Sequence, residues 1–308
     1  MADKIATRAS YGKALTELGA ENQNIVVLDA DLSGSTQTKK FAEKFPERFF
    51  NAGIAECNML GMAAGLAASG KTVFASTFAM FASGRAYEII RNSIAYTHVN
   101  VKICATHAGL TVGEDGASHQ CVEDLALMRV IPGMTVINPA DDVSARKLLK
   151  EAAVFDGPCY LRFGRASVPV LYPEDQKFEI GRAVTVKEGR DACIIATGIM
   201  VAKAVEAAEL LKTEGLDVGV IDMHTIKPID EDAILAAAKT GAVVTAEEHS
   251  VIGGLGSAVA EVLAKKSPCR MAMVGVQDTF GESGTPDALL EKYHMTAADI
   301  AAAVRKLK

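Results

Sequence analysis

The sequence predicts an α/β protein: two doubly wound domains with mainly parallel sheets. Three observations carry this. Short runs such as IVVLDA (25–30), TVFAST (72–77) and VKICAT (101–106) are apolar throughout, as strands covered on both faces must be. Helical stretches alternate with them, which is the pattern of crossover connections. The length of 308 residues fits about two domains at roughly 150 residues each.

Taken in order, residues 7–21 read as a helix and 25–30 as the first strand. Residues 57–69 (CNMLGMAAGLAAS) read as a helix of small residues able to pack very close to a neighbour. Strands follow at 72–77, 101–106, 134–139 and 159–163, separated by helical stretches at 82–96, 121–130 and 141–154. Around 164–180 the texture changes: GRASVPVLYPEDQKFE carries two prolines, mixed charge and no period. The expected division is a first domain over 1–172, a linker over 173–186 and a second domain over 187–308. In the second, 192–198, 217–222, 242–248 and 271–276 read as strands, and 201–212 and 255–265 as helices. Thr296 with Asp299 three residues on is a capping-box pattern that opens a final helix.

Composition excludes several function classes. Hydrophobic residues make up 49% of the chain, enough for real cores. Net charge is −6 with no basic stripe, which argues against nucleic acid. The six cysteines form no CxxC pair and mostly sit in apolar runs, as buried hydrophobes of a reducing compartment do. MADKIATRASYG has no apolar core of a signal peptide, and no segment reaches the ~18 apolar residues of a membrane span. A cytoplasmic protein is expected.

In open parallel sheets, ligands bind at the carboxyl ends of the strands. The loops DADLSGS (29–35) and THAGLTVGEDGASHQ (106–120) fall there, the second with His107, Glu114, Asp115 and His119 among glycines. Glu56 stands in an otherwise apolar stretch, NAGIAECNMLGMAAGLA, with Phe78 and Phe81 shortly after. An ionisable group there is costly unless it has a partner or a task. One carboxylate beside small residues and an aromatic shelf suits a flat nitrogen heterocycle. The structural alternative is a glutamate that caps a helix or pairs with Arg85 or Arg91.

Other motifs are weaker. GLAASGKT (65–72) matches a phosphate-binding loop in letters, but a helix precedes it and a strand follows, the reverse of what that loop needs. Gly70 instead reads as a left-handed helix terminator. GGLGSAVAEV (253–262) is an imperfect dinucleotide pattern, equally explained by glycines that let a helix approach a strand. His98, His224, His249 and His294 read as capping or surface histidines. His107 and His119 lack the nearby partners that would complete a zinc set.

NAGIAECNMLGMAAGLA, STFAMF and above all VGEDGASHQ resemble the pyrimidine-binding half of transketolase, a thiamine-diphosphate enzyme, and the likeness runs over nearly the whole chain. The resemblance implies that Glu56 hydrogen-bonds N1′ of the coenzyme's aminopyrimidine, that Phe81 stacks on that ring with Phe78 nearby, and that Asp31 lies in a cofactor-lining loop. It implies substrate contacts for His107 and His119, a hydroxyl-reading role for Asp115, and a sugar-phosphate trio of Arg8, Ser35 and Arg165. One departure is informative: the family's GDG motif and downstream asparagine, which bind Mg²⁺ and the diphosphate, are missing. The resemblance therefore implies the C-terminal subunit of a split enzyme, with no metal ligand of its own. It would be completed by an N-terminal subunit in a heterotetramer, moving a two-carbon ketol unit between sugar phosphates. The alternatives are a 2-oxoacid dehydrogenase β-type subunit and a non-catalytic regulatory protein that keeps the fold.

Overall fold

The computed structural model describes residues 3–308. A seven-stranded sheet runs in the order Thr225–Lys227, Thr135–Ile137, Cys159–Arg162, Val101–Thr106, Thr72–Phe78, Ile25–Asp29 and Phe49–Asn51. Every neighbouring pair is parallel except Thr225–Lys227 against Thr135–Ile137. A second sheet of five strands runs Arg270–Val276, Ala242–Ser250, Ala192–Ala196, Val218–Asp222 and Val184–Lys187, with only the last antiparallel to its neighbour. A two-stranded ribbon, Lys4–Ala6 with Ser167–Pro169, ties the start of the chain to the end of the first unit.

The apolar runs form strands because both faces are covered. Val27 and Phe74 enter one core, while their neighbours Val26, Leu28, Val73 and Ala75 enter the other, as the two-residue period of a strand requires. Both cores continue into the second unit: Ile194 belongs to the first and Ile195 to the second. The strand Thr225–Lys227 comes from the C-terminal part of the chain yet completes the first sheet. The stretch read as a linker is well anchored. The N–H groups of Leu171 and Tyr172 donate to Asp141 Oδ2 at 2.9 and 3.1 Å, Phe178 is buried, and the strand from Val184 begins inside the expected 173–186.

Local signals explain several helix ends. Thr296 and Asp299 cap each other reciprocally at the start of Ala297–Leu307. Gly70, at φ +90°, follows the helix Glu56–Ala68 and precedes Thr72–Phe78, so GLAASGKT has the order helix, turn, strand. The helical stretch expected over 82–96 is present but irregular. It comprises π-helical turns at Phe81–Arg85 and Ile90–Ala95 around a single α turn. Gly61 and Gly65 face outward with no atom of this chain near them, so the small face of Glu56–Ala68 has no neighbour here.

Candidate active site

The candidate residues gather at the carboxyl ends of five adjacent parallel strands. Asp31 and Ser35 follow Ile25–Asp29. Glu56 follows Phe49–Asn51. Phe78 ends Thr72–Phe78, and Phe81 opens the turn after it. His107 follows Val101–Thr106, and Arg165 follows Cys159–Arg162. Arg8 reaches the same edge from the first turn of the helix Thr7–Glu21.

Glu56 is the first residue of its helix and is 2% exposed. Its Oε2 accepts from Arg85 Nη1 at 2.9 Å, so the pairing weighed as the structural alternative is present, with Arg85 as the partner. Arg91 instead donates to Asn92. The Arg85 guanidinium lies over the Phe81 ring, 5.0 Å from its centroid. Phe81 stacks at 5.9 Å on Phe78, whose other neighbour is the His107 imidazole at 3.9 Å. The His119 ring meets Phe81 edge-on at 5.5 Å. Phe78 is therefore buried between rings, and Phe81 is the aromatic with an accessible face.

On the far side of His107 the charge turns positive. Arg8 Nη1 donates to the Ser35 carbonyl at 2.7 Å. Arg165 donates to the Val112 carbonyl and pairs with Glu114 at 3.2 Å. Burial, then the charge of Arg165, lowers the Arg8 pKa. Burial pushes the His107 pKa down to about 3, with Arg8, Arg165 and His119 acting in the same direction. His107 is thus a neutral imidazole at neutral pH, its Nδ1 2.9 Å from Thr106 Oγ1. Two guanidinium groups thus lie close enough to repel each other, with Glu114 offsetting the charge of one.

Asp31 is exposed, at φ +64°, and accepts from Asn51 Nδ2 at 3.1 Å. That bond joins its loop to the segment leading into Glu56. Asp115 is exposed at the tip of the 113–116 turn, apart from the contacts above.

Several residues that shape the site were not singled out from the sequence. Asp29 organises the first loop: it accepts from Leu32 N–H at 2.6 Å and from the hydroxyls of Thr36 and Thr38 at 2.7 and 2.9 Å. A buried aspartate ending an apolar strand, with T-x-T following, is a readable signal for such a loop. Glu248, from the second sheet, accepts from Thr111 N–H at 2.6 Å and packs directly on Gly109. Gln120 donates to the carbonyls of Leu110 and Glu282 at 3.0 and 2.8 Å. The C-terminal unit therefore braces the loop that carries His107 and His119. Nothing local in the sequence marks this, because Glu248 lies 137 positions from Thr111.

His224 and His249 are not surface histidines, since both are fully buried; His249 does act as a cap, its Nε2 accepting the N–H of Ala126 at 3.3 Å in the first turn of the helix Asp124–Arg129. Burial lowers each to about 4, keeping them neutral in the interior. The glycines of GGLGSAVAEV act in packing. Backbone N–H groups of Leu255 and Gly256 each donate to the buried Glu247 carboxylate at 2.7 Å, and a side chain on Gly256 would press on Thr245 and Met273. Among the described residues no cluster of three or more His, Cys, Asp or Glu side chains could hold a metal. No helix among them is long and apolar enough to cross a membrane.

Known proteins share this sequence and fold. Residues 3–170 match the transketolase pyrimidine binding domain, and residues 181–300 match the transketolase C-terminal domain. A Methanocaldococcus jannaschii protein provisionally named a transketolase C-terminal section is 53% identical over 297 residues, 96% of this chain and 93% of that one. The 6-deoxy-6-sulfo-D-fructose transketolase subunit of a Clostridium strain is 44% identical, covering 97% and 94%. A solved split gene transketolase, described as an inactive β4 tetramer, is 61% identical with a TM-score of 0.93 over 98% of both chains. A buried acid beside an aromatic face, at the strand ends of a unit matching a pyrimidine-binding domain, agrees with what these relatives are. The chain belongs to the transketolase family.

Proposed function

We propose that this chain is the C-terminal subunit of a split transketolase, active in the cytoplasm only when a separate N-terminal subunit completes the site. The observation that carries the reading is the run from Glu56 through Arg85, Phe81 and Phe78 to His107, whose pKa is lowered by the charges of Arg8 and Arg165. It sets an acid and an aromatic face at one end and two guanidinium groups at the other, with neutral imidazole between.

The donor set suits the ring end of thiamine diphosphate: a buried carboxyl group for a ring nitrogen and the partly exposed ring of Phe81 for stacking, worth about 0.5–1.5 kcal/mol beyond burial. When bound, that coenzyme supplies the electron sink for breaking and making a carbon–carbon bond. Glu56 would donate a hydrogen bond from its carboxyl group to N1′ of the ring. His107 and His119 would hydrogen-bond sugar hydroxyls, the neutral His107 positioning one rather than deprotonating it, because burial holds its pKa at about 3. Asp115 would read the acceptor's hydroxyl configuration. Arg8, Ser35 and Arg165 would hold the sugar phosphate. Asp31 would line the coenzyme from its loop.

The chain lacks the family's GDG motif and its downstream asparagine, and on that ground Mg²⁺ and the diphosphate are assigned to the companion. The exposed Ile54, Met62, Gly61 and Gly65 beside Glu56 give that companion an apolar, small-residue surface to cover. The inactive β4 assembly of the split relative agrees with a chain that lacks half its site. A symmetric assembly of two of each chain follows from a site shared between subunits.

The test is reconstitution. The purified chain with thiamine diphosphate and Mg²⁺ should not turn over xylulose 5-phosphate, and adding a companion that carries GDG should restore ketol transfer. Turnover by the isolated chain would defeat the two-subunit reading.

A further inference from the structure

Arg85 makes two contacts that bear on the ring seat. Its Nη1 donates to Glu56 Oε2 at 2.9 Å, and its Cζ stands 5.0 Å from the centroid of Phe81. A guanidinium is flat and delocalised, and carries N–H donors along its edge. These are the features by which an aminopyrimidine would be held here: a hydrogen-bonding edge on the acid and a face on the aromatic ring. We propose that Arg85 is an internal stand-in that occupies the aminopyrimidine's seat and must be displaced when the coenzyme enters. The proposal rests on the coenzyme reading above.

Two observations favour displacement over permanent pairing. Glu56 is 2% exposed, but the Arg85 side chain is 53% exposed, so the arginine is the member of the pair that can leave without unburying a charge. Arg85 also lines an open groove of about 460 Å³ with Ser118, Glu123 and Phe280, which gives the released cation both room and an acidic neighbour. A stand-in has a clear use in a chain made without its companion. It satisfies a buried carboxylate that would otherwise be unpaired.

An occupied seat weakens coenzyme binding by whatever its release costs. For a half-exposed ion pair and one cation–π contact, that is about five- to tenfold in affinity. The experiment is calorimetric titration of the assembled two-chain complex with thiamine diphosphate at saturating Mg²⁺, wild type against Arg85→Ala. The variant should bind about five- to tenfold more tightly. Equal or weaker binding by Arg85→Ala overturns the stand-in. If neither complex binds the coenzyme, both this proposal and the reading beneath it fall. A structure of the loaded wild-type complex decides the matter without any variant. The guanidinium should have left Glu56 and the Phe81 face, and its persistence there overturns the proposal.

Discussion

Replacing Gly109 with alanine should loosen the loop that carries His107, and two contacts set the size of the effect. Gly109 sits at φ +81°, ψ −171°, a region open essentially to glycine alone. Forcing a side chain into it costs about 1–3 kcal/mol. The new Cβ would also collide with the Glu248 carboxylate, driving it off the Thr111 N–H. A buried donor left without its acceptor costs about 1–3 kcal/mol more. Gly109→Ala should therefore destabilise by about 2–6 kcal/mol. Glu248→Ala alone orphans the same N–H and should cost about 1–3 kcal/mol. The double variant loses that acceptor only once, so its destabilisation should fall short of the sum of the singles by about 1–3 kcal/mol. Urea unfolding at fixed protein concentration, followed by far-UV circular dichroism, measures all three. Additivity within about 0.5 kcal/mol would refute the claim that the C-terminal unit braces this loop through one carboxylate.

Two further outcomes are expected. Arg165→Gln in the assembled complex should raise KM for phosphorylated acceptors about tenfold or more while sparing unphosphorylated ones, since one charge-assisted contact is lost; equal effects on both would remove Arg165 from phosphate binding. Burial pushes Asp222 up to about 8, against the hydrogen bond donated by Tyr172 at 2.7 Å and with help from Asp141. Its folded pKa exceeds the unfolded value of about 3.9, so its contribution to stability is full below that value and is lost as pH rises through about 8. Asp222→Asn should flatten the fall in urea midpoint between pH 6.5 and 8, a window above the buried His224 and His249 at about 4. Comparison with wild type separates Asp222 from Glu247, which burial lifts to about 7. Parallel pH curves for the two proteins would contradict the assignment.

The strands of both sheets could be read closely from the sequence because burial on both faces makes them continuously apolar. Ile25–Asp29, Thr72–Phe78 and Val101–Thr106 fall within a residue of the expected 25–30, 72–77 and 101–106. Val184–Lys187 could not be read, since an edge strand with one partner alternates too weakly to stand out. Thr225–Lys227 is three residues long and finds its partner across the chain. The π-helical turns after Phe78 have no letter pattern, yet Phe81–Arg85 is the turn that positions Arg85 over Phe81. Of the candidate site, His107 was legible from its loop after a strand and Glu56 as a lone carboxylate in an apolar stretch, whereas Arg165 was marked by the family resemblance alone. Glu248 and His249 were not legible, because their roles depend on how the second sheet packs against the first.

The central claim is that Glu56 acts on the ring end of a coenzyme whose tail another chain holds. The most direct measurement is ketol transfer by the reconstituted complex carrying Glu56→Gln, with assembly checked by sedimentation and coenzyme binding by calorimetry. The complex should stay intact, bind the coenzyme and transfer at least about a hundredfold more slowly, the lower bound for losing an acid–base group. Turnover at the wild-type rate by that complex would contradict it.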